Sequence, residues 1–373
     1  HKLKSWLVHG AQHEMALVSA MTPDIRTSMG VSNRYSTDSS FTLLSHRGSD
    51  IGTPFPSERL QAKVKEKQDF VQRFIRKFER AQELKEEDDW RWLTEVSDPK
   101  DPLFRTLVTL LLSPKYRSFP PLRCIVLRAI QMVLRFARFL VERKAESSGE
   151  SSSLDHNTGF RCFVALAGDA HARDAVPEVH RLANDGLGTD EMQLTVLSHN
   201  ALLVLAELGP EKFEPRLASR LLDTFVALSE RAEELVEVAL RMHAWGGKHR
   251  KTLLNVIVTH PGRTLLGEVL IQVVNRYDPE RRFRAIKVLK SCLLMPTTEN
   301  LLYTNDARVL VEILLREFPN HVTDDAAFAE HIDCFKVLTW RCDAAREHRR
   351  DELVQVLTDL SQDEANLPGV RAK

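Results

Sequence analysis

From Glu58 onward the apolar residues recur at helical spacing, prolines fall between the periodic stretches, and no strict alternation of apolar and polar residues lasts long enough to make a strand. That pattern confines the chain to an all-α fold. Helices are expected at about His156 to Ala167, Arg173 to Asn184, Asp190 to Leu208, Lys212 to Leu228, Ala232 to Trp245, Lys251 to Val258, Arg263 to Arg276 and Pro279 to Leu294. Another pair follows after Pro296, and the last two are at Asp325 to Arg341 and Ala345 to Leu360. Pro177, Pro210, Pro215, Pro261, Pro279, Pro296 and Pro319 lie at or near the expected breaks. Short-linked helices with apolar stripes on two sides predict a solenoid of the armadillo or HEAT kind, an irregular bundle being the alternative.

Three regions are expected: a flexible arm over 1–57, rich in Ser, Thr, Gly and Pro; the helical domain over 58–361; and a tail over 362–373. Glu58 to Lys85 carries Val64, Phe70, Val71, Phe74, Ile75 and Phe78 at helical spacing, so its stripe needs the following body as a partner. Asp101-Pro102 reads as a helix start, because proline's missing amide costs nothing in the first turn. Leu122 to Lys144 is the longest apolar run. Arg128, Arg135 and Arg138 interrupt it and gather on one side with Arg123 and Gln131, which predicts a core helix with a basic face and argues against a membrane span.

Fifty-two basic and fifty-two acidic residues cancel, so no global field draws the chain to nucleic acid or an anionic membrane. The five cysteines are scattered, without a C-x-x-C pair, as in a cytosolic protein with reduced thiols. The first twenty residues start at His1 and lack the uninterrupted apolar run of a secretory signal. Nucleophile elbows, phosphate-cradling glycine loops and zinc patterns are missing, and Gly246-Gly247 stands where a helix ends. The histidines, His243 with His249 and His321 with His331 among them, read as surface or loop residues. No enzyme, metal or cofactor is expected.

Arg281 to Phe318 is the most distinctive stretch. Arg284, Lys287 and Ser291 share one helical stripe, and Arg281, Arg282, Arg284, Lys287 and Lys290 form a basic run without an acidic residue. The run is either a solvated face or a docking face for a protein, an anionic head group or nucleic acid; the aromatic interleaving of a single-strand binder is missing. A turn at Met295-Pro296-Thr297-Thr298 leads to a second helix starting at about Asn305. There Thr304, Asn305 and Asp306 read as a structural cap, and Arg308, Glu312 and Arg316 lie at successive i+4 steps. Side-by-side stacking would set Arg284, Lys287, Arg308 and Arg316 on one ridge with Arg281 and Arg282 at its end, suited to an acidic helix of a partner.

TLLNVIVTHPGRTLLGEVLIQVVNRYD (Thr252 to Asp278) and KVLKSCLLMPTTENLLYTNDARVLVEILLRE (Lys287 to Glu317) resemble the armadillo-like leucine-rich domain of the WISH/DIP, or diaphanous-interacting, family. Tyr303 and the T-N-D after it are the most specific part. The resemblance is firmest over 251–318, and the length is similar to that of the compact fungal members. It implies a monomeric, non-enzymatic nucleation-promoting factor that binds and activates the actin-related protein 2/3 complex without a preformed filament, seeding unbranched filaments. The location implied is the cytoplasmic, cortical actin cytoskeleton, including endocytic actin patches. A formin or other actin regulators are further partners it leaves open, and nucleic acid is not among them. The alternative is a general helical scaffold for another protein or an anionic membrane.

Overall fold

The computed structural model describes residues 58–84, 86–147, 157–185, 192–229, 232–276, 279–295, 301–318 and 325–352, with 354, 355 and 358. The expected arm and tail, and the turn from Pro296 to Asn300, lie outside these residues. Among the described residues there are fifteen α-helices, a 3-10 turn at Pro114–Tyr116 and no strand. The helices are α1 Glu58–Leu84, α2 Glu87–Val96, α3 Pro102–Leu112, α4 Pro120–Ser147, α5 Thr158–Ala167, α6 Asp169–Asp185, α7 Met192–Leu208 and α8 Leu217–Ala227. They continue with α9 Ala232–Trp245, α10 Gly247–Thr259, α11 Arg263–Arg276, α12 Pro279–Leu293, α13 Thr304–Glu317, α14 Asp325–Arg341 and α15 Asp343–Glu347.

They pack as an all-α solenoid of two rows. In one row α1, α4, α7, α9, α12 and α14 touch in succession, and in the other α3, α6, α8, α11 and α13 do the same. Each helix of the second row also leans on the first, as α6 does on α7 and α11 on α12. The middle of the first row is therefore the core. Along α7 everything from Thr195 to Leu208 is buried, which is why its sequence has almost no polar stripe.

The expected amphipathic helix at the start is α1, and its stripe lies on α4 and α2. Phe78 meets Phe136 edge-on at 6.0 Å and Trp92 at 6.2 Å. Complete burial of a side chain of that size stabilises by about 1.5–3 kcal/mol. Asp101 caps α3 as its sequence predicts: Oδ1 accepts the Leu103 amide at 2.7 Å and Pro102 holds the first position. At Gly246 (φ 72°) and Gly247 (φ 47°) the chain leaves α9 and enters α10 through the left-handed region that favours glycine. Among the described residues no helix is long and apolar enough to cross a membrane.

Four expectations need correction. Pro177 lies inside α6, which runs from Asp169, rather than at a break. An interior proline costs about 3 kcal/mol, but Ala172, Ala175, Val179, Leu182 and Ala183 form a continuous buried stripe across it. Helix α8 starts at Leu217, not Lys212, because Gly209 (φ 100°) opens a turn in which the Lys212 and Phe213 amides both donate to its carbonyl. The helix expected over Ala345 to Leu360 is interrupted at Arg349 (φ 52°), where His348 Nε2 reaches Glu312 Oε1 at 2.9 Å and ties the turn to α13. His243 and His331 are buried within α9 and α14 rather than on loops or the surface.

Candidate protein-docking surface

Glu207 and Glu237 each stand alone in an apolar helical run, LLVLAEL in α7 and LVEVAL in α9. A lone buried carboxylate needs paired cations, and both find them on neighbouring helices of the first row. Glu207, 2% exposed, takes Arg135 Nε at 3.1 Å and Arg138 Nη1 at 3.2 Å from α4, and Arg241 Nη1 at 2.9 Å from α9. Arg241 turns its Nε to Glu237 Oε1 at 3.2 Å. Glu237 in turn receives Arg284 Nη1 at 2.9 Å and Arg281 Nε at 3.4 Å from α12. Lys290 carries the series to α14, with Glu330 at 2.5 Å and Asp333 at 3.6 Å. The result is a ladder of ion pairs running across α4, α7, α9, α12 and α14.

Its electrostatics follow from crowding. Burial pushes the Glu207 carboxyl up, but Arg241, Arg135 and Arg138 more than reverse this and leave it far below the usual carboxylate range. Glu237 is likewise held low, its burial outweighed by Arg284, Arg241 and Arg281. Burial brings Arg135 down to about 10 despite Glu207 beside it. A second knot joins α4 to α6, where Arg123 and Arg181 both bind Glu178. Hydrogen bonding from Arg181, with Arg123 added, lowers that carboxyl to about 2.

The sequence-predicted residues are drawn into this frame unevenly. Arg281 is buried, its Nη2 donating to the Glu233 carbonyl at 3.0 Å as well as meeting Glu237. Arg282 pairs with Glu317 of α13, which also takes Arg316 Nε at 3.3 Å, while Arg316 Nη2 donates to Asn275 Oδ1 at 3.0 Å. The stripe of Arg284, Lys287 and Ser291 lies along α9: Ser291 Oγ meets His243 Nε2 at 2.8 Å, and half-buried Lys287 covers the Phe283 ring at 4.0 Å. Arg308 and Arg316 are exposed on α13. Arg281, Arg282 and Arg284 are therefore brought into inter-helix pairs, Lys287 is half-buried beside them, and Arg308 and Arg316 are exposed.

At the start of α13 the N-cap position belongs to Tyr303, with no side-chain cap bond, and Thr304, Asn305 and Asp306 form the first turn. The side-chain cap expected of Thr304 or Asn305 is not made. Asp306 does lie in the first turn, at the positive end of the dipole.

Sequence reasoning found the arginine face of α4 but missed the carboxylates that organise it. The available signal was a single glutamate inside an otherwise apolar helical run, which is seldom buried without a pair. Among the described residues no three His, Cys, Asp or Glu side chains gather as metal ligands, and all five cysteines are free thiols. Burial lifts Cys292 and Cys334 to about 12.

No curated protein and no solved structure matches the chain. One family model does: residues 223–353, from within α8 to just beyond α15 and so including Glu237, Arg241 and the whole of α12 and α13, match the leucine-rich domain of the SPIN90/Ldb17 family, and the chain is similar at domain level to the family that its sequence segments resemble.

Proposed function

We propose that the chain is a non-enzymatic nucleation-promoting factor that binds and activates the actin-related protein 2/3 complex without a preformed filament, seeding unbranched actin filaments at the cell cortex. The observation that carries this reading is the match of residues 223–353 to the SPIN90/Ldb17 leucine-rich domain. The architecture supports it physically. A ligand shifts an equilibrium only by its differential affinity for the two states, and a rigid platform loses little of that difference to its own rearrangement. Helices bound side by side through buried carboxylates make such a platform.

Lys287, Arg308 and Arg316 are proposed as direct contacts to the complex. Arg281, Arg282 and Arg284 act mainly by holding α12 against α9 and α13. The test is pyrene-actin assembly with purified complex, no other promoting factor and no filament seeds, with filaments viewed by fluorescence microscopy. The reading expects faster assembly and linear filaments. No acceleration by the parent chain overturns the activity, and branched filaments alone overturn the proposed mode. Anionic vesicle binding that persists at physiological salt, without binding to the complex, would favour the helical scaffold instead.

A further inference from the structure

On the exposed face of α13, Arg308 has one acidic neighbour at helical spacing, Glu312 four residues on. The two do not pair. Among the described residues Arg308 makes no ion pair, while Glu312 Oε1 meets His348 Nε2 at 2.9 Å. Arg316, four residues further along, is turned to Glu317 Oε1 at 3.3 Å and to Asn275 Oδ1 at 3.0 Å. His348 reaches Glu312 from the end of α15, where the chain turns through Arg349 in the left-handed region (φ 52°). A residue with a side chain keeps that conformation only where its surroundings fix it, and the contact to Glu312 ties this turn to α13.

We propose that His348 is a positioning residue for the docking face of α13: it withholds Glu312 from Arg308 and so leaves that guanidinium open to a carboxylate of the partner. The inference rests on the reading of Arg308 as a direct contact to the complex. Histidine in this place also makes docking responsive to pH, because imidazole is the side chain whose charge ordinarily changes between about pH 5 and 8. Neutral, His348 can donate its Nε2–H to Glu312, and Arg308, Glu312 and His348 together carry no net charge. Protonated, it cancels the Glu312 charge, and the three present one positive charge to an acidic partner. The other charged groups of the turn are engaged among themselves or exposed. Arg346 is with Asp343, Arg350 with Glu347 and Arg349 with Glu352, and Asp351 is exposed. On α14, Arg341 donates to the Leu294 carbonyl and Lys336 is exposed.

The test measures binding of the purified actin-related protein 2/3 complex to the immobilised full chain at about pH 8 and about pH 6. Titration of the complex itself is common to parent and variants, so the reading is the ratio of the two affinities, compared between chains. The parent's ratio should exceed that of His348→Gln by about threefold in favour of the lower pH, the size of an exposed ion pair. Glu312→Gln should bind more tightly than the parent at about pH 8 and lose the same excess. Equal ratios for the parent and His348→Gln, or weaker binding by Glu312→Gln, would overturn the proposal. A second measurement needs no complex: nitrogen-15 relaxation of Arg308 Nε in the chain alone. That group should be mobile in the parent and ordered in His348→Ala, where Glu312 is released to it, and equal mobility in both would overturn the proposal. Should the parent fail to bind the complex at either pH, the proposed function falls, and the Arg308 measurement alone decides the role of His348.

Discussion

Replacing Glu207 by glutamine keeps the shape of the side chain and removes one charge from the centre of the first row. Three guanidiniums lose the carboxylate they share, at 2.9 to 3.2 Å. Breaking a buried pair by removing one partner costs about 3–5 kcal/mol. Arg135 and Arg138 are a quarter exposed and can regain water, so the loss belongs at the lower end, about 3 kcal/mol, most of it from Arg241, which is 12% exposed. At about 2–4 °C per kcal/mol for a domain of this size, the melting midpoint should fall by roughly 6–12 °C. Glu142→Gln is the matched control: it removes a half-exposed i,i+4 partner of Arg138 and should cost less than about 0.5 kcal/mol. Far-ultraviolet circular dichroism during heating reads both variants. An unchanged midpoint for Glu207→Gln, or equal shifts for the two, would refute the ladder as a source of stability.

His243 is held down to about 4, first by burial and then by Arg250, Lys287 and Lys290. It stays neutral in the fold where the unfolded chain would take a proton, so its contribution makes stability fall as the pH drops from about 6.5 towards 4; His243→Gln should flatten that limb in urea titrations. Glu178 has the opposite origin and the same direction, its folded carboxyl at about 2 giving stability that is present above the ordinary range near 4.3 and lost as the pH falls towards 2. Glu178→Gln should remove that acid dependence. Gly159 of α5 lies so close to α7 that a Cβ there would overlap the Glu207 carbonyl, so Gly159→Ala should cost about 1–3 kcal/mol in the same titrations. Arg284→Glu would face Glu237 and lower the melting midpoint, whereas Lys287→Glu gives up its place over Phe283, about 0.5–1 kcal/mol, and should reduce actin nucleation with little change in melting.

Most of the helix inventory was legible because helical periodicity and proline breaks are local properties. Asp101-Pro102 and Gly246-Gly247 are cases in which neighbouring residues alone decide the conformation. Pro177 was misread because the packing that overrides it comes from α7, beyond the reach of a local rule. The basic run from Arg281 to Lys290 contains no acidic residue, yet Arg284 meets a carboxylate 47 residues away and Arg282 one 35 residues away. Charge pairing between neighbouring helices of a solenoid has that range by construction, and an isolated sequence does not reveal which glutamate answers which arginine. The break at Arg349 was hidden for a related reason, since His348 is held by Glu312 on another helix.

The two carboxylates of the ladder act mechanically as shear pins. Glu207 in α7 holds α4 on one side and α9 on the other, and Glu237 in α9 holds α12 through two arginines while remaining joined to α7 through Arg241. Sliding α7 or α9 along its axis by a single turn, about 5.4 Å, would carry its charges out of reach of both neighbours at once. A solenoid joined only by apolar ridges can flex by small slips shared among its layers. One pinned in this way resists such slips across α4, α7, α9 and α12, because each carboxylate ties its own helix to a neighbour at a fixed axial register.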